Sequence, residues 1–244
     1  MKSISPNLNL MIKACEKAAK ILIRDFGEVE NLQVSRKGPK DFVTNADRKV
    51  EKIILDELSK KKFTTISEEA GIKININKDN LWVIDPIDGT TNFLHGIPHF
   101  CISIAYINKN EIISGIIFDP IKNEIFYAEK NCGAFFNNQS IRVSKKSNFD
   151  DCLFASNLDG VKNMNINLRV SGSAALDLAY VACGRLDGFY QKNLNIWDIA
   201  AGVLIVREAG GITSNIDVKK MNNHKILASS EVISKDFTAF LKNF

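Results

Sequence analysis

A layered α+β fold is what this sequence predicts, and three observations carry the prediction. Its apolar residues first recur at helical spacing, then fall into short continuous or alternating runs, then mix both patterns. Turn-forming pairs separate the short runs, so the middle of the chain reads as an antiparallel meander rather than a strand–helix alternation. The 244 residues are 45% hydrophobic and 25% charged, enough for one domain over 1–244 with a sizeable core and without compositional disorder.

The elements follow in order. Leu8, Met11, Ile12, Cys15, Ala19, Leu22 and Phe26 form the stripe of an amphipathic helix, with Pro6 near its start and Gly27 expected to end it. Arg36 to Lys40 reads as a charged Gly-Pro loop. A second helix is expected from Thr44, a suitable N-cap, burying Val50, Ile53, Ile54 and Leu58. Strands are expected at Phe63–Ser67, Leu81–Asp85, Phe100–Ile107, Glu111–Phe118 and Glu124–Glu129. Turns at Asn108-Lys109-Asn110 and Asp119 to Asn123 join the last three, and a short hairpin turns at Asn137-Asn138. The second half then offers a strand at Cys152–Ser156, a helix from Ser173 to Cys183 and a strand at Gly188–Gln191. A helix after Asp198 should stop at Gly210-Gly211, and Ile233, Phe237, Phe240, Leu241 and Phe244 mark a last one.

Bulk chemistry removes several function classes. Five cysteines, Cys15, Cys101, Cys132, Cys152 and Cys183, are odd in number and without CxxC spacing, so they read as buried thiols of a reducing compartment. The net charge is +4 and the basic runs are short and lack interleaved aromatics, which argues against a nucleic-acid partner. Lys13, Glu16, Lys17 and Lys20 interrupt the apolar N-terminal residues as no signal peptide would allow. No segment has the apolar length to cross a bilayer, so the chain reads as cytoplasmic with no membrane partner.

The chemistry concentrates in Trp82 to Phe93, WVIDPIDGTTNF. Asp85-Pro86 should stop the Leu81–Ile84 strand, since proline has no N–H for the ladder. Asp88 to Asn92 is then suited to opening a helix. Two carboxylates thus stand at the mouth of a sheet beside a helix start, where hard cations and phosphate both find partners. Asp-Pro and Asp-Gly pairs also make plain turns, and Asp198 could be a simple helix cap. Glu68-Glu69, closing the run from Thr64, and Asp198, opening an apolar helix, bring the acidic sites to three. Each ends an apolar element, which points to metal-assisted phosphate chemistry. With no histidine or cysteine in these segments the donor set suits Mg2+ and not zinc.

The chain here resembles the inositol monophosphatase family of lithium-sensitive, magnesium-dependent sugar phosphatases. The matching pieces are Lys37-Gly38 with Asp41 to Asp47, Glu68-Glu69, WVIDPIDGTTNF, Gly172-Ser173-Ala174-Ala175, and Trp197 to Gly211. The resemblance implies an αβαβα sandwich, a homodimer, a small phosphate monoester as substrate and two or three Mg2+ ions. It implies that Glu68, Asp85 and the Ile87 carbonyl hold one ion and that Asp85, Asp88 and Asp198 hold another. Glu68, with Glu69 behind it, would orient the attacking water, while Thr90 and Asp47 assist its proton transfer. Ile87, Asp88, Gly89, Thr90, Gly172, Ser173, Ala174, Gln191 and Asp198 would meet the substrate, Ser173 being equally readable as an N-cap.

One departure bears on the substrate. Inositol-using members carry glutamate seven residues before the last aspartate, where this chain has Gln191, neutral and able to donate as well as accept. The implied activity is hydrolysis of a polyol or sugar phosphate such as inositol 1-phosphate. Fructose 1,6-bisphosphate, a nucleotide 3′-phosphate, histidinol phosphate and NADP stand as alternatives, as does a regulatory protein that keeps only the fold. The haloacid-dehalogenase phosphatases place their aspartates two apart; here Asp85 and Asp88 are three apart with Pro86 between.

Overall fold

The computed structural model describes residues 4–32, 39–75, 77–157 and 166–241. Helices α1 (Pro6–Leu32) and α2 (Pro39–Leu58) open the chain. Strands β1 (Phe63–Ser67), β2 (Gly71–Lys73) and β3 (Asn77–Asp88) follow, then the short helix α3 (Thr90–Leu94). The meander runs through β4 (Cys101–Asn108), β5 (Glu111–Asp119), β6 (Glu124–Glu129), β7 (Gly133–Phe136) and β8 (Gln139–Ser140). These eight strands form one sheet in the order β2-β1-β3-β4-β5-β6-β7-β8.

The second half comprises β9 (Leu153–Ser156), β10 (Asn167–Arg169), α4 (Ala174–Ala182), β11 (Gly188–Leu194), α5 (Ile196–Glu208), β12 (Gly211–Thr213), β13 (His224–Ser230) and α6 (Glu231–Leu241). Its sheet is ordered β10-β9-β11-β13-β12. Sheet residues show why layers form on both sides. Along β4, Ile102, Ile104 and Tyr106 pack with α1 and α2, while Cys101, Ala105 and Ile107 pack with α4 and α5. Alternate side chains face opposite ways, so a strand buried along nearly its whole length requires cover on both faces. Beyond α4 and α5 lies the second sheet, and Ile233 and Phe237 of α6 close its far face against Phe154 and Tyr190. The order is αβαβα, an α+β layered fold. Gly115 of β5 lets α5 lie close, since a Cβ there would stand 2.8 Å from the Ala201 Cα.

Several boundaries differ from expectation. Gly27 does not end α1, because Val29 continues the buried stripe one turn on and its burial offsets the roughly 1 kcal/mol cost of a helical glycine. Helix α2 starts at Pro39 rather than Thr44; proline suits a first helical position, where an N–H has no helical acceptor. Of the Gly-Pro loop, Pro39 and Lys40 therefore belong to α2, and Arg36 to Gly38 lie outside the described residues. Phe244 lies outside them too. Asp85-Pro86 does not stop β3. Asp85 pairs with Ser103 and Asp88 with Cys101, so Pro86 and Ile87 together face Ile102 in a bulge. The missing proline N–H costs no ladder bond at such a place.

The meander is antiparallel from β3 to β8, but β1 lies parallel to β3. In the second sheet β10, β9 and β11 are mutually parallel. Three cysteines are buried thiols as expected, whereas Cys132 is exposed and Cys183 half-buried. Among the described residues no helix is long and apolar enough to cross a membrane.

Candidate active site

The carboxyl ends of the parallel strands converge with the first turns of α4 and α5. There they enclose a cavity of about 330 Å³. Glu68 enters from the end of β1, Asp85, Ile87 and Asp88 from the β3 bulge, and Gly89 and Thr90 from the start of α3. Asp198 enters from α5, Gln191 from β11, and Gly172 and Ala174 from the start of α4. Glu69, Asp47 and Ser173, also predicted for the site, do not line the cavity; Ser173 stands behind Asp88, to which it donates.

The bulge sets the acidic wall of the cavity. Asp85 is 2% exposed, and its Oδ1 accepts the Ile87 N–H at 3.0 Å, closing a tight turn round the proline. The Ile87 carbonyl accepts the Thr90 hydroxyl at 2.9 Å, leaving it a second lone pair. Asp88 turns toward α4: its Oδ2 takes the Ser173 hydroxyl, the Ala175 N–H at 2.8 Å and, weakly, the Cys101 thiol at 3.8 Å. Ser173 is at the same time the N-cap of α4, accepting the Leu176 N–H at 3.3 Å. Ser173 is thus the N-cap and also a brace for Asp88, while the cavity lining does not include it. Asp198 also has two jobs, since its Oδ2 caps α5 by accepting the Asn195 N–H at 2.7 Å.

Gly172 is fixed by shape. It sits at φ +85°, and a Cβ there would stand 2.9 Å from Asn92 Nδ2. That amide ties the lip together by donating to His99 O at 2.7 Å and to Ser171 O at 2.9 Å.

Crowding of like charges dominates the electrostatics. Burial raises Asp85 well above the ordinary carboxylate range, and Glu68, Asp88 and Asp198 raise it further. Burial, then Asp88, pushes Asp198 up to about 7, against the bond from Asn195. Asp88 is raised by burial despite its Ser173 and backbone donors. Glu68, exposed at the rim, is raised by desolvation of its carboxyl against a bond with Asp85. Asp47 is pushed up to about 8 by burial and by the charges of Glu69, Glu68 and Glu51. None of the ion pairs among the described residues involves Glu68, Asp85, Asp88 or Asp198.

This donor set fits divalent magnesium. Every donor is a hard oxygen, and cationic partners are lacking among the described residues that would otherwise neutralise the acids. The carboxylates share one cavity, yet no three of them are gathered round a single point among the described residues. Asp85 is instead bonded to Glu68 and Asp88 to Ser173.

Sequence reading passed over Glu51, Ser156, Asn157, Ser171, Asp177 and Asn195. Glu51 lies one turn after Asp47 on α2, and that spacing was its available signal. Its Oε1 accepts the Ser67 hydroxyl and the Ala70 N–H at 3.0 Å, clamping the turn that carries Glu68 and Glu69. Glu51→Ala leaves the buried Ser67 hydroxyl without its acceptor, a cost of about 1–3 kcal/mol. We expect a lower thermal midpoint and a weaker apparent Mg2+ affinity, with Glu51→Gln, which still accepts, keeping most of both. A Mg2+ titration of the midpoint checks this; an unshifted titration in Glu51→Ala would remove the clamp from the site.

Comparison with known proteins identifies the family. The profile of the inositol monophosphatase family matches residues 4–241. An inositol-1-monophosphatase of Mesorhizobium japonicum is 44% identical over 93% of both chains. The Nus factor SuhB of Escherichia coli is 40% identical over 86% of this chain and 85% of its own. The crystal structure of extragenic suppressor protein suhB from Bartonella henselae superposes with a TM-score of 0.86 at 42% identity, covering 98% of this chain and 100% of that one. Fold and relatives agree: the chain belongs to the inositol monophosphatase family.

Proposed function

We propose that the protein hydrolyses a small polyol or sugar phosphate monoester, of the inositol 1-phosphate kind, in a Mg2+-dependent reaction. One observation carries the reading: Glu68, Asp85, Asp88 and Asp198, from three separate stretches of chain, line one cavity without basic partners among the described residues. Glu68, Asp85 and the Ile87 carbonyl would hold one ion, and Asp85, Asp88 and Asp198 another. When bound, such ions supply Lewis acidity, neutralising phosphate charge and making water a nucleophile near neutral pH.

The chain's own groups do the rest. Glu68, backed by Glu69, orients the attacking water. Thr90 and Asp47 assist its proton transfer, a role supported by the pull of Glu69 and Glu68 on the Asp47 carboxyl. Gly89 and Thr90 face the phosphate, while Gly172, Ala174 and Gln191 face the alcohol, and Ser173 acts by holding Asp88.

Phosphate release from a panel of monoesters, with and without Mg2+, tests the reading. We expect turnover only with Mg2+ and uncompetitive inhibition by Li+, which would take an ion position while product phosphate is still in place. Metal-independent turnover, or competitive Li+ inhibition, would count against it. The name Nus factor carried by a 40% identical relative favours a second, regulatory reading. The same assay separates them, because a chain that retains only the fold releases no phosphate.

A further inference from the structure

The wall of the cavity formed by α4 holds one more carboxyl, Asp177. It lies on α4 one turn past Ser173 and on the same face as Ala174, and its N–H donates to Ser173 O at 3.1 Å. Helical side chains lean toward the N-terminus, which carries this carboxyl to the Ser171–Ala174 lip. There it is bonded to Ser171 and is only 4% exposed. It enters no ion pair among the described residues. A buried carboxyl without a cation is costly, and asparagine would brace Ser171 equally well. A bracing role therefore leaves the acid unexplained.

Its neighbours in the cavity say what it meets. Ser156 pairs beside Tyr190, so the second sheet delivers Ser156 and Gln191 to one edge of the same wall. Both are neutral hydrogen-bonding groups, and no lysine or arginine lines the cavity among the described residues. Such a wall accepts hydroxyl groups and repels a second anion.

We infer that Asp177 is a specificity-determining residue: it accepts hydroxyls of the leaving alcohol and disfavours substrates with a second phosphate. This deepens the phosphatase reading and rests on it. The substrate class becomes a neutral polyol monoester, with Asp177 supplying the acidic acceptor that Gln191 does not.

The test compares wild type, Asp177→Asn and Asp177→Ser at about pH 8, where a carboxyl pushed up to about 7 is charged. Substrates are inositol 1-phosphate, p-nitrophenyl phosphate and fructose 1,6-bisphosphate. In the variants, kcat/KM for inositol 1-phosphate relative to p-nitrophenyl phosphate should fall about tenfold or more, since a lost acceptor leaves substrate hydroxyls unpaired. The same ratio for the bisphosphate should rise. Unchanged ratios, or a proportional fall on all substrates, overturn the inference and leave Asp177 a brace for Ser171. A wild type that prefers the bisphosphate overturns it without any variant. A wild type that releases phosphate from none of the three with Mg2+ overturns the phosphatase reading itself.

Discussion

Replacing Asp88 with asparagine should cut turnover by about a thousandfold or more while the fold survives. An asparagine oxygen can still accept the Ser173 hydroxyl and the Ala175 N–H, so the tie between β3 and α4 remains. What disappears is the charge. Loss of several kcal/mol of metal-derived stabilisation corresponds, at about 1.4 kcal/mol per tenfold, to a rate loss of that order. The metal-free variant should be as stable as wild type or more so, because one member of a repelling group is gone. Its midpoint should gain less on Mg2+ addition than the roughly 2.7 kcal/mol expected at a hundredfold excess over Kd. Retained activity together with an unchanged Mg2+ increment would remove Asp88 from the metal site.

A second large effect is the pH dependence of metal-free stability. Asp198 at about 7 and Asp47 at about 8 both stand above an unfolded value of 3.8, as do Asp85 and Asp88 in direction. Between those limits the native state holds protons that the unfolded chain has released, so stability falls as pH rises. The fall begins near pH 4 and levels off above about 8, once the native carboxyls are also ionised. For Asp198 the shift corresponds to about 4 kcal/mol as an upper figure. On the proposed reading Mg2+ would replace those protons, so its stabilising increment should grow across the same window. Melting curves from pH 5 to 8.5 with EDTA or Mg2+ decide the matter. A metal-free midpoint that rises with pH would show that the acids are not crowded as described.

These two effects rest on residues that were legible from pattern, and the gaps in that legibility have physical causes. The meander could be read because each strand is an apolar run bounded by turn residues, and Asn110 and Asn138, at φ 67° and 68°, take up the left-handed turns. The fate of Asp85-Pro86 could not, because a proline ends a ladder or sits in a bulge with equal local logic, and only the partner strand decides. Gly27 and Thr44 misled for a related reason. Tertiary burial of Val29 and a proline start at Pro39 outweigh local stop and cap signals. Ser173 and Asp198 carried two possible readings each, and both proved to serve caps while touching the site. Glu51 gave little warning, since a glutamate on a charged helix face ordinarily meets water.

The sharing of Asp198 between a cap and the cavity has a consequence for how the molecule comes together. Glu68, Asp85 and Asp88 belong to the first sheet, whereas Asp198 rides on α5, wedged between that sheet and the next. A folding intermediate with only the first sheet assembled would present three acids and lack the fourth. On the proposed reading a cation would therefore act as a coincidence detector, binding in full only after both halves of the chain have docked.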